Sequence, residues 1–94
     1  MARIPRARAE RLPEKLLSIR LALGLSQNEM LRRLELDEKL SRTSISAYEL
    51  GTGEPPLPTI LEYARAAGIC TDVLLDDELD LPAKLPSKAK HTRR

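Results

Sequence analysis

Arg42, Thr43, Ser46 and Ala47 fall on one side of a helix when Ile45 and Tyr48, three residues apart, turn inward. Such a face offers a guanidinium fork, two hydroxyls and a methyl group, which is the chemistry of recognition and not of bond breaking. It suits the major groove of DNA. Arginine pairs bidentately with guanine, hydroxyls donate or accept, and alanine touches a thymine methyl. Upstream, Gln27 stands at a second helix start, where backbone amides can hold a phosphate. The plainer reading is structural, since Ser/Thr-rich helix starts are common without any ligand.

Other chemistry finds little support. Cys70 and His91 are the single cysteine and single histidine, too few for a disulfide or a metal site. The acids of 72–80 lack the spacing of a calcium loop, and no glycine-rich loop follows a strand. No enzyme activity, metal or cofactor is expected. The 94 residues make one domain. No apolar run is long enough for a membrane, and none follows Met1-Ala2-Arg3-Ile4-Pro5-Arg6 as in a signal peptide. A cytoplasmic protein is expected.

Helices must position these residues. One is expected from Pro13, with Leu16, Leu17, Ile19, Leu21 and Leu23 as its apolar stripe and Gly24 as its stop. Ser26-Gln27-Asn28-Glu29 spells a capping box, and Leu25 with Met30 a hydrophobic staple. Met30, Leu31 and Leu34 continue the inward face. The segment from Glu35 to Leu40 either extends this second helix by a turn or forms a longer connector. Ser41 and Thr43 are cap residues for the third, and 51–56 reads as a loop. Pro58 opens a fourth helix with Ile60, Leu61, Ala64 and Ala67 inward and Gly68 as its end. Thr71-Asp72 caps a short fifth carrying Val73, Leu74 and Leu75. The expected fold is all-α: five short helices around a leucine-rich core, with no strand.

The formal net charge of +2 conceals a division. Residues 1–11 hold four arginines against Glu10, and 82–94 hold five basic residues and no acid. The middle, 12–51, balances six bases with six acids, while 52–81 sets Arg65 against seven acids. The expected organisation is a basic N-terminal arm at 1–11, a domain at 12–81 and a basic, disordered tail at 82–94. Basic tails and an acidic far end favour one orientation on a polyanion.

The run Ile19-Arg20-Leu21-Ala22-Leu23-Gly24-Leu25-Ser26-Gln27-Asn28-Glu29-Met30 resembles the opening of the XRE, or lambda-repressor-like, helix-turn-helix family. Ser41-Arg42-Thr43-Ser44-Ile45-Ser46-Ala47-Tyr48-Glu49-Leu50-Gly51 is similar to its recognition helix. Pro58-Thr59-Ile60-Leu61 through Ala66-Ala67-Gly68-Ile69 resembles its fourth helix, and Asp72-Val73-Leu74-Leu75 its fifth. The resemblance spans roughly 12 to 76. It implies that Arg42, Thr43, Ser46 and Ala47 contact bases, that Gln27 contacts a phosphate, and that Arg20 and Glu49 form a buried ion pair. Ile45 and Tyr48 match core positions.

Three departures stand out. Leu31 replaces a small residue, Glu35 replaces a glycine, and four extra residues separate Gln27 from Ile45. Leu50 and Glu54 remove expected phosphate contacts, for which Arg32, Arg33, Lys39 and the tails are candidates to compensate. Phosphate contacts are therefore expected from Gln27, Asn28, Arg32 and Lys39. The expected function is a sequence-specific DNA-binding transcriptional regulator, a repressor, acting as a homodimer on double-stranded DNA. Two half-sites supply contacts that one small module lacks. The candidate interface is the acidic, leucine-bearing end, with Val73, Leu74, Leu75 and Leu79. The alternative is a protein-interaction module, such as the antitoxin of a toxin–antitoxin pair, with the same fold. A third reading gives nonspecific nucleic-acid binding to the tails alone.

Overall fold

A computed structural model describes residues 9–86. His91 and most of the tail lie outside the described residues, as do Arg3, Arg6 and Arg8. Five helices follow in order: α1 (Leu12–Leu23), α2 (Gln27–Arg33), α3 (Arg42–Leu50), α4 (Leu57–Ala67) and α5 (Thr71–Leu75). No strand occurs among the described residues.

Helix α1 is the hub, packing against α3, α4 and α5, while α2 packs on α3 and α4 on α5. Its inward side is Leu12, Lys15, Leu16, Ile19 and Leu23, a helical stripe with a lysine in it. The expected inward Leu21 is instead 61% exposed, because it lies off this stripe. Met30, Leu31, Leu34, Ile45, Tyr48, Ile60, Tyr63, Ala64, Ala67 and Leu74 complete the core. Three boundaries shift by one residue, the first being the start of α1 at Leu12 with Pro13 inside its first turn. Helix α4 begins at Leu57, with Pro58 already inside its first turn, and α5 takes Cys70 as its N-cap instead of Thr71. Leu61, expected inward, sits at the edge of the core and is exposed.

The capping box at α2 forms as the sequence requires. Ser26 Oγ accepts from the Glu29 amide at 3.1 Å, and Glu29 Oε1 accepts from the Ser26 amide at 2.8 Å. These bonds to the charged form hold the Glu29 carboxyl below the usual range. Leu25 packs against the core beside this cap.

The segment after α2 is a connector, not a helical extension. The chain turns left-handed at Glu35, with φ 61°. The Leu36 amide donates to Leu31 O and the Glu35 amide to Arg32 O, each at 3.0 Å. These are the two bonds of a Schellman end, and the same turn after α1 is made by Gly24. The extra residues thus rebuild the turn, and Leu36 and Leu40 anchor it against the core. A side chain in this backbone region costs about 1–2 kcal/mol. Glu35→Gly is accordingly expected to raise the unfolding free energy by about 1 kcal/mol in urea titration.

A clasp joins the two ends of the domain. Lys15 is only 2% exposed. Its Nζ donates to Val73 O at 2.7 Å, Asp76 O at 3.1 Å and Leu79 O at 2.8 Å. Two of these carbonyls belong to α5 and its C-cap, where the helix dipole favours a cation. In return, the Asp77 carboxylate accepts from the Arg11 amide at 3.1 Å and the Glu10 amide at 3.0 Å, capping α1 from the far end. The hydrogen bond from the Arg11 amide, with desolvation opposing it and the Glu10 amide adding to it, holds the Asp77 carboxyl below its ordinary range. Arg11 itself reaches Asp77 O and the Asp80 carboxylate, both at 2.8 Å. Its charge therefore faces the acidic end.

Candidate nucleic-acid interface

The recognition surface depends on how α3 is held. Ile45 and Tyr48 are buried, so the opposite side of α3 turns outward. Arg42 and Thr43 are exposed on its first turn, and Ser46 is half-buried one turn further on. Ala47 is half-buried as well. A Cβ placed on Gly53 would lie 3.1 Å from the Ala47 Cβ, and Ala47 O accepts the amides of Thr52 and Gly53. Ala47 is therefore partly occupied in supporting the loop after α3. Leu50, at the end of the helix, is 73% exposed and offers no hydrogen bond to a phosphate. Ser41 is the N-cap by backbone geometry, yet its hydroxyl makes no capping bond.

Beneath α3 lies a charged bridge. Arg20 Nε donates to Glu49 Oε2 at 2.6 Å and Arg20 Nη2 to Glu49 Oε1 at 3.0 Å, a two-pronged pair. The two side chains are 14% and 5% exposed. The third arm of the guanidinium donates to Leu25 O at 3.0 Å, fixing the turn between α1 and α2. Gln27 Nε2 then donates to Glu49 Oε1 at 3.2 Å. One carboxylate on α3 thus fastens both α1 and α2, and with them the angle at which α3 is presented. The remaining N–H of the Gln27 amide is available to an oxygen ligand.

Tyr63 approaches the same region from α4. Its hydroxyl is buried without a hydrogen-bond partner. Burial first, and then the charge of Glu49, push its ionisation far upward. The tyrosine is a neutral core residue, and neither it nor Lys15 was marked by the sequence pattern. A lysine on an apolar stripe reads as a flank. The aliphatic positions of α4 drew attention away from Tyr63, whose spacing from Ile60 and Ala67 would have placed it inward.

Of the expected phosphate contacts, Asn28 is exposed in the first turn of α2, Arg32 is exposed in its last turn, and Lys39 is exposed in the connector to α3. Gln27 is brought to α3 through Glu49. Among the expected interface residues, Leu74 is a correction. It is fully buried beneath α5 as part of the monomer core, so no partner can reach it. Val73 is half-buried, while Leu75 and Leu79 are exposed. No cluster of potential metal ligands occurs among the described residues.

A helix-turn-helix family model matches residues 16–74, well over half of the chain. No curated protein and no solved structure matches it. The matched span runs from α1 into α5 and includes the Arg20–Glu49–Gln27 bridge and the whole of α3. Among the described residues, no helix is long and apolar enough to cross a membrane. The chain belongs to the helix-turn-helix family of the XRE, or lambda-repressor-like, type, a family of DNA-binding regulators.

Proposed function

We propose that the protein is a sequence-specific transcriptional repressor of the cytoplasm that inserts α3 into the major groove. The observation that carries this reading is the outward face of α3, with Arg42 and Thr43 exposed at its leading end and Glu49 locked underneath. Arg42 reads guanine, Thr43 and Ser46 donate or accept, and the partly covered Ala47 methyl contributes an apolar edge. Gln27, Asn28, Arg32 and Lys39 set the register on the backbone. Exposed Leu75 and Leu79, with half-buried Val73, supply the surface through which two copies pair on related half-sites.

Salt dependence tests the reading. Arg32 and Lys39, the two cations assigned here to phosphates, give four neutralised phosphates in a dimer. The affinity for a duplex selected from a random pool is then expected to fall about 100-fold between 50 and 200 mM salt. A second reading, an antitoxin-like module that binds a protein, is favoured by the acidic end and the balanced charge of 12–51. On that reading no duplex is selected, and binding to the partner protein survives the same salt.

A further inference from the structure

Leu50 is the most exposed large apolar side chain among the described residues, at 73%. A single exposed leucine needs no explanation, but this one has a specific place on α3. A heptad brings a helix back to within about 20° of the same line, so Leu50 lies almost directly beyond exposed Thr43. Ala47 falls between them, four residues after Thr43. The Thr43 methyl, the Ala47 methyl and the Leu50 isobutyl group thus make an apolar strip along the side of α3 opposite buried Ile45 and Tyr48. The end of α3 is also a poor seat for a phosphate. Its last turn carries no basic residue, and the carbonyl end of a helix bears partial negative charge. Glu49, the one acid of α3, is turned onto Arg20 and Gln27, so no carboxylate stands on the outward side. Hydrocarbon is what that end offers. In the major groove, the hydrocarbon that varies with base sequence is the thymine methyl group.

We propose that Leu50 is a specificity-determining residue that packs on a thymine methyl, extending the reading face one turn beyond Ala47. The inference rests on α3 being the reading element. It adds a base preference that hydrogen-bond donors and acceptors on α3 do not supply, and it turns the loss of a phosphate contact at this position into a gain in base discrimination. From Arg42 to Leu50 the helix rises about 12 Å, the length of about four base pairs at most. The thymine that meets Leu50 therefore lies within about four base pairs of the guanine read by Arg42.

Deoxyuridine tests this, because its base differs from thymine by that methyl group alone. Each thymine of a duplex selected from a random pool is replaced in turn, and the full chain is compared with Leu50→Ala. At one thymine per half-site, uracil is expected to weaken the wild type about four-fold, the worth of one buried methyl group. Leu50→Ala is expected to bind the thymine and uracil duplexes equally. Position 50 is exposed, so the circular dichroism of the variant is expected to match the wild type. A wild type indifferent to uracil at every position overturns the proposal. So does a thymine preference that Leu50→Ala retains. If affinity also falls in that case, the leucine meets the DNA backbone or a second copy of the chain. Failure of the underlying reading has a different signature: no duplex is selected, or Arg42→Ala keeps the wild-type base preference, and the proposal falls with it.

Discussion

Glu49→Ala is expected to lower the unfolding free energy by about 3–5 kcal/mol, the usual cost of removing one partner from a buried ion pair. The carboxylate is 5% exposed and accepts from two nitrogens of Arg20 and one of Gln27, so its loss strands a guanidinium between α1 and α3. A small domain has only about 5–15 kcal/mol in total. The loss therefore amounts to a large share of the fold's stability. Urea titration measures it directly, and the melting temperature is expected to fall by well over 10 °C, at about 4–8 °C per kcal/mol. Replacing both partners with leucine is expected to recover much of the loss, since desolvating the pair is itself costly. A single-variant effect under 1 kcal/mol means that the bridge does not hold α3.

Lys15→Met keeps the apolar stem and removes the ammonium. Val73 O, Asp76 O and Leu79 O then lose their shared donor, and the expected loss is about 2–3 kcal/mol. The damage is local in a way that Glu49→Ala is not. Amide exchange is expected to accelerate through α5 and residues 76–80 while α2 and α3 keep their protection. Uniform acceleration over all five helices contradicts the clasp as a separate element. The distinction matters for function, because the clasp fixes where the chain enters α1 and the bridge fixes how α3 is presented.

The bridge and the clasp differ in how far residue types and spacing reveal them. The capping box, the glycine stops, the inward pair Ile45 and Tyr48 and the family pattern around Arg20 and Glu49 are local or motif-borne, and each could be read from residue types and spacing. The clasp could not. Lys15 is some sixty residues from the carbonyls it serves, and a backbone carbonyl leaves no mark on a sequence. Periodicity misled at Leu21, which is exposed, because the width of an apolar stripe depends on which neighbours cover it, and the leucine-bearing acidic end suggested an interface at Leu74, which the monomer core buries. The turn at Glu35 was ambiguous for a different reason. A glutamate in a left-handed turn runs against propensity, and the tertiary anchors Leu36 and Leu40 overrule it. The outward residues of α3 were assigned by pattern, and their exposure now separates Arg42 and Thr43 from the partly covered Ser46 and Ala47.

That separation sets the decisive measurement: the base preference of the full chain, of Arg42→Ala and of Thr43→Ala on duplexes selected from a random pool. Both substitutions lie on exposed helix positions, so the fold is expected to survive them. The account predicts that each variant loses discrimination at particular base pairs, by about 1–3 kcal/mol for the bidentate arginine, with nonspecific affinity largely kept. An identical base preference in the wild type and both variants contradicts α3 as the reading element.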